Sequence, residues 1–356
     1  MTIWGCRLLS IIVPIFNGQI YLKKFIENIQ SQSFENFELI LVNDGSIDET
    51  ETICEKYEKR DSRIVVINKK NEGSGPARND GLRIAKGKYI MFVDCDDYFE
   101  KNYLEILYNT ISENKVDLVI CGQTDVINSK KIIYKKIVPQ YREYTNKEDI
   151  RLDYIKLKKI GIADVLWNKI YSNKIIKDNK LMFPDLRRGQ DAVFNITYFD
   201  KINSCITVEK ALYYYRKNSL SNIFDKFPKN HYEIICKENM SIEKQIQKWG
   251  VYDKYSKEYL DIHFMRAVFS ALTNAFNPKW NFNFISKYNY IKNIISKTKV
   301  KYGCHIYEQY SLYEKLIIIL IKKNLVLFLM IVLEIKILKK KLICFNDLIQ
   351  RYKIIS

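Results

Sequence analysis

The chain has 356 residues, 47% hydrophobic and 13% aromatic, and carries a net charge of +17. That apolar and aromatic content excludes a disordered chain and is enough for a full core in one large domain or two. The positive balance calls for a partner of opposite sign: nucleic acid, an anionic membrane surface or a nucleotide-sugar.

The N-terminal segment MTIWGCRLLSIIVPIFN lacks the basic region and small-residue cleavage site of a signal peptide. Its apolar run Leu8–Phe16 reads instead as a strand buried on both faces. Tyr21, Leu22, Phe25, Ile26 and Ile29 follow at helical spacing. Phe37–Val42 is a second strand, and Asp48–Arg60 a polar helix with Asp48 as N-cap. A third strand at Ile64–Asn68, a helix at Ala77–Lys86 and a fourth strand at Tyr89–Val93 continue the alternation. Such strand–helix alternation predicts an α/β fold with a mostly parallel sheet and helices on both faces. Beyond it come a helix at Asn102–Glu113 and a strand at Asp117–Ile120, then a hairpin or excursion over 124–145. A helix over 147–160 follows, with strands at Trp167–Tyr171 and Ile206–Tyr215 flanking a helix that starts at Asp191. Residues 226–300 read as mostly helical.

Four clusters bear chemistry. Asp94-Cys95-Asp96-Asp97 follows the fourth strand directly, and ligands of open α/β sheets bind beyond the carboxyl ends of strands. Three carboxylates there repel one another unless a cation compensates, and an oxygen-only donor set favours Mg²⁺ or Mn²⁺; a solvated acidic turn is the plainer alternative. Asn43-Asp44-Gly45-Ser46 ends the second strand on the same edge, although taken alone an ordinary Asp-Gly turn accounts for it better. Pro14, Phe16 and Asn17 end the first strand there too, so three strand ends converge on one rim. The stretch Asn71–Asn79 is glycine-rich but satisfies neither the dinucleotide fingerprint nor the P-loop pattern; Arg78 at its helix start suits an anion or a base edge. Asp191, in Gly189-Gln190-Asp191, reads as a first-turn helix residue or as a general base.

Eight cysteines contain no C-x-x-C pair and three histidines share no ligand spacing. A disulfide framework and a zinc or histidine metal site are therefore not expected, and the thiols read as reduced, which places the chain in the cytosol.

In this order, these segments resemble the family 2 glycosyltransferases, whose fold is termed GT-A. The matching text is SIIVPIFN (10–17), FELILVNDGS (37–46), GPARNDGL (75–82), GKYIMFVDCDD (87–97), WNKIY (167–171), GQDAVFN (189–195) and YYYR (213–216). The resemblance covers roughly residues 8–220. It implies inverting transfer from a nucleotide-diphosphate sugar, most often a UDP-sugar, to a saccharide or lipid-linked acceptor in cell-surface polysaccharide synthesis. It also implies roles. Pro14, Phe16 and Asn17 would line the nucleoside pocket, Asp44 would bond the base, and Arg78 would hold the nucleotide. Asp94 and Asp96 would bind ribose and the metal–diphosphate with Asp97 adjacent, Trp167 would sit against the acceptor, and Asp191 would be the base. Family members usually show Glu-Asp where this chain has Gln190-Asp191, a change that touches acceptor fit or the pKa of Asp191.

The implied division is a GT-A domain over 1–220, with a nucleotide-binding half at 8–115 and an acceptor half at 116–220, then a helical region at 221–356. Its tail, 312–341, sets apolar runs beside lysines and suits a helix lying on an anionic membrane, a buried helical pair or a contact between copies. The expected location is the cytoplasm, with peripheral attachment to the inner face of the plasma membrane as the option the tail leaves open, and nucleic acid is not an expected partner. A sugar-nucleotide nucleotidyltransferase is the main enzymatic alternative, and a basic membrane- or nucleic-acid-binding module the non-enzymatic one.

Overall fold

The computed structural model describes residues 8–127, 132–217, 228–302 and 307–353. Two compact units divide the chain: 1–220 with 240–251, and 221–239 with 252–356.

The first unit opens with the expected alternation: β1 (Leu9–Ile15), α1 (Gln19–Gln30), β2 (Phe37–Asp44), α2 (Thr50–Glu58), β3 (Ile64–Lys69), α3 (Ser74–Ile84) and β4 (Tyr89–Phe92). There follow β5 (Tyr98–Phe99), α4 (Tyr103–Glu113), β6 (Leu118–Ile127), β7 (Ile132–Ile137), β8 (Arg142–Tyr144) and α5 (Lys147–Ile160). The unit's sheet is completed by β9 (Lys169–Ser172) and β10 (Cys205–Lys217), with α6 (Asn173–Asp178) and α7 (Gln190–Phe199) between them.

The sheet order is β3-β2-β1-β4-β9-β6-β10-β5, with β7 against β6 and β8 against β10. Strands β1 to β4 pair in parallel, whereas β9 lies antiparallel between β4 and β6, so the sheet is mixed. The parallel register sets Ile15 opposite Asn43 and Asn43 opposite Asn68, which aligns the carboxyl ends of β1, β2 and β3. All eight residues of β2 are buried, as a strand covered by helices on both faces must be. Residues 132–137 return as the hairpin partner of β6. Helix α3 begins at Ser74, three residues before the expected start, because Pro76 in a first turn gives up an N–H that has no intrahelical partner there anyway.

In the helical unit, α8 (His231–Lys248), α9 (Lys254–Thr273), α10 (Phe284–Tyr302), α11 (Leu312–Lys322) and α12 (Val326–Lys353) supply the secondary structure, with short 3₁₀ turns after α9. The end of α8 belongs to the first unit, where Gln245, Lys248 and Trp249 all bond to Asp200. The helical unit has its own core of Phe264, Val268, Leu272, Ile291, Ile295, Ile318 and Leu329. Ser311 and Glu314 form a capping box that starts α11.

Candidate active site

Turn chemistry at the strand ends fixes the rim. Gly45 takes φ +71°, and a side chain there would meet the backbone nitrogen of Asn71 at 2.6 Å, so this turn requires glycine. Asn43 donates to the Asn68 side chain at 3.0 Å and accepts from the Ser46 amide at 3.1 Å. Asp44 is buried, and its two oxygens accept the amides of Glu72 (2.9 Å) and Gly73 (2.7 Å). It thereby pins the glycine-rich loop beneath α3, while each oxygen keeps a second lone pair. Asn17 stands at φ 53°. Its amide donates to Ser46 Oγ, and its side chain accepts from the Ile47 amide, both at 2.9 Å. Pro14 is half-buried beside it and Phe16 is exposed.

Arg78 holds the centre. Its guanidinium donates from one nitrogen to Asp94 at 3.0 Å and from another to Asp191 at 2.9 Å. Its side chain is 5% exposed, against 32% and 39% for the two carboxylates, so the cation lies underneath and the anions face the opening. Arg78 Nε has no hydrogen-bond partner among the described residues. The structure thus brings Asp94, from the end of β4, and Asp191, from the first turn of α7, onto one side chain.

The remaining aspartates differ. Asp97 is buried and accepts from Tyr213 Oη at 2.8 Å and the Arg216 amide at 2.7 Å, which ties the acidic turn to β10. Burial, with the charges of Asp96 and Asp94, pushes its pKa well above the usual carboxylate range. Among the described residues Asp96 makes no comparable pair. Burial and then the charge of Asp94 push it up to about 6, with Arg216 pulling the other way. Burial, joined by Asp94, also raises Asp191, while Arg78 opposes the rise.

Helix α7 is set by Gly189 at φ 73° and by Gln190, which is buried and donates to Ser74 Oγ. Asn195, one turn on, donates to the carbonyls of Asp191 (3.0 Å) and Asp164 (2.8 Å), fastening the first turn of α7 to the 164–165 loop. A cavity of about 640 Å³ opens beside Gln190, bordered by Glu72, Ser74, Pro76 and Arg187.

Trp167 is buried, stacked on Tyr213 (centroids 4.4 Å) and on Tyr215 (5.4 Å). Of the two tyrosines, Tyr215 is the partly exposed one. Burial, together with Asp97, Asp94 and Asp96, pushes its phenol up to about 12.

Sequence reading assigns no individual role to three of these residues, Asn195, Arg216 and Lys169, although the segments GQDAVFN, YYYR and WNKIY contain them. The Arg216 guanidinium lies over Tyr21 (5.2 Å) and Tyr98 (5.9 Å) and acts on Asp96. Lys169 is fully buried; its ammonium donates to Ile162 O (2.6 Å), Asn168 Oδ1 (2.9 Å) and Val165 O. Burial lowers its pKa to about 7, while its acceptors match the three donors of the charged form. A lysine inside the apolar strand text WNKIY was the available signal, since unpaired lysines are almost never fully buried.

Comparison with known proteins adds to this geometry. The sequence profile described as Glycosyl transferase family 2 matches residues 10–171. The chain is 31% identical to the uncharacterized glycosyltransferase EpsJ of Bacillus subtilis over 268 residues, 73% of this chain and 75% of EpsJ. It is 28% identical over 277 residues to TarS of Staphylococcus aureus, a poly(ribitol-phosphate) β-N-acetylglucosaminyltransferase, covering 76% of this chain and 46% of TarS. The crystal structure of TarS residues 1–349 with UDP-GlcNAc superposes with a TM-score of 0.61 at 22% identity, covering 92% of this chain and 90% of that one. The shared architecture is the GT-A fold with a helical C-terminal region.

Proposed function

This chain belongs to glycosyl transferase family 2, and on that footing we propose that it transfers a sugar from a UDP-sugar, with inversion, to a saccharide or lipid-linked saccharide in cell-surface polysaccharide synthesis. The observation that carries the mechanism is the single guanidinium of Arg78 shared by Asp94 and Asp191. It sets a donor-side carboxylate and a candidate base at one opening.

Asp191 takes the proton of the acceptor hydroxyl as that oxygen attacks the anomeric carbon. Burial and Asp94 strengthen it as a base, and Arg78 keeps it ionised and aimed. On the donor side, Pro14 and Phe16 flank the nucleoside, with Asn17 and Asp44 holding the turns around the base. Arg216 stands over the acidic turn as a cation for the diphosphate. Asp97 binds through the turn it anchors. Gln190 borders the cavity that would take the acceptor, and Trp167 backs the partly exposed Tyr215 near the acidic turn. A hexose or N-acetylhexosamine donor is in keeping with the activity that TarS carries in its name.

Asp94 and Asp96 fit Mn²⁺ or Mg²⁺ by their chemistry. Both are oxygen donors near the carboxyl end of β4, the donor type that Mn²⁺ and Mg²⁺ take. Among the described residues no group of three or more ligands is preassembled, so diphosphate oxygens would have to complete the shell. When bound, the ion neutralises charge on the departing diphosphate. The free thiols among the described residues, Cys54, Cys95, Cys121, Cys205 and Cys236, support a reducing compartment on the cytoplasmic side.

The test is a panel of UDP-sugars assayed for UDP release with and without EDTA. The expected outcome is release from one or a few donors, lost in EDTA and restored by Mn²⁺ or Mg²⁺. Full turnover in EDTA overturns the metal role. Pyrophosphate release from UTP and a sugar phosphate, with every UDP-sugar untouched, overturns the transfer reading.

A further inference from the structure

The helical unit carries a second apolar surface that its own fold does not use. On α12, Val326, Leu329, Met330 and Leu333 are buried in the unit's core. Leu327, Phe328, Ile331, Ile335 and Leu338 on the same helix are 49–61% exposed. Their spacing of three and four residues places them in one stripe on the side away from that core. Helix α11 repeats the division: Ile317, Ile318 and Ile321 are buried, whereas Leu312, Leu316 and Ile319 are exposed. Glu334, Lys336 and Lys339 are also exposed on α12, so its apolar stripe meets solvent between charged neighbours.

Charge says what covers it. From Lys315 to Lys341 the sequence holds seven lysines against one glutamate. Lys322 and Lys323 are exposed at the turn between the two helices, and Lys339 is exposed next to Leu338. No helix among the described residues is long and apolar enough to cross a membrane. We propose that this face seats on an anionic lipid surface, with α12 in the plane of the membrane. Its exposed apolar side chains enter the acyl boundary, and the lysines extend to the phosphates. A second copy of the chain is a poorer occupant, because pairing the face with itself sets one lysine fringe against its like. The inference uses no residue of the Arg78 site and stands apart from the transferase mechanism.

The experiment is flotation of the full chain with vesicles of phosphatidylcholine alone and of phosphatidylcholine mixed with phosphatidylglycerol. Binding to the mixed vesicles should exceed binding to the neutral ones about ten-fold and fall as salt rises. The combined change Phe328→Ser, Ile331→Ser and Ile335→Ser should cut binding to both by about ten-fold or more. Lys322→Gln, Lys323→Gln and Lys339→Gln together, all at exposed positions, should remove the preference for phosphatidylglycerol with thermal melting unchanged. Absence of flotation, equal binding to both vesicles, or a serine variant that floats like the parent overturns the proposal. A dimer in sedimentation equilibrium that the serine substitutions dissolve assigns the face to a second copy and overturns it as well. Should the serine variant unfold, the lysine variant decides: an unaltered preference for phosphatidylglycerol refutes anionic seating.

Discussion

The two sides of the rim are built on opposite principles. Around Asn17, Asn43 and Asp44, side-chain oxygens meet backbone amides, and the loops are braced by neutral or singly charged bonds. Around Asp94, Asp96 and Asp191, like charges crowd together, offset by one buried guanidinium below and by Arg216 beside Asp96. The first side is finished as a scaffold. The second gathers carboxylates with shifted pKa values at one opening, the arrangement that marks a candidate site. Polar residues of the same type, on adjacent strand ends, thus divide by partner: those met by amides brace the loops, and those met by other charges are the candidates for chemistry.

The largest expected effect tests the charged side. Asp191→Asn should lower kcat on the order of 10²–10⁴-fold, with UDP affinity by calorimetry within about two-fold of the parent. Near-normal turnover would remove Asp191 from the role of base. Arg78→Met comes next. It leaves two carboxylates facing each other, and we expect a loss of about 2 kcal/mol in urea denaturation, below the range for a fully buried pair because the carboxylates are partly exposed. Raised salt should restore part of that loss. Asp44→Ala tests the scaffold side. Two part-buried amides lose a charged acceptor, at about 1–3 kcal/mol, and donor KM should rise more than kcat falls as the 71–73 loop loosens. An unchanged melting temperature would show that the loop is held by other means.

Lys169 gives the smallest and most specific test. Its folded pKa lies near 7, below the usual lysine value, so between pH 7 and 10 the unfolded chain binds more protons than the folded one. Stability should therefore rise with pH across that window. Lys169→Met should be destabilised at both ends and lack this increment, as measured by urea midpoints at pH 7 and pH 10. An identical pH slope in both proteins would show that the three acceptors keep the ammonium charged at all these pH values.

Much of the architecture was legible in the residues. Mainly apolar runs marked β1, β2 and β4 because strands covered on both faces have no polar side, and the two polar interruptions, Ser10 and Glu38, bond to each other at 2.5 Å. Helix α5 spans Lys147–Ile160, the stretch read as helical, with Asn146 capping it and Gly161 ending it. The antiparallel β9 was not legible, since four residues show no direction; its sense is set by its neighbours β4 and β6. Strand β5, two residues long, exists only through pairing with β10. At the rim, spacing located Asp44, Asp94 and Asp191, but their partners lie 28, 16 and 113 positions away. No local pattern encodes such pairings. The same holds for Asp97, which reads as part of an acidic run and is bound on both oxygens by β10.

The Arg78–Asp191 pairing has a consequence for synthesis. The two residues meet only once the chain has been made and packed to a point 113 positions beyond Arg78, including the strand β9 that wedges between β4 and β6. A growing polypeptide can assemble β1 through β4 with their aspartates long before the partner helix leaves the ribosome. Until then Arg78 has only Asp94 as a carboxylate partner. On the mechanism proposed above, competence to react therefore arrives late in biosynthesis.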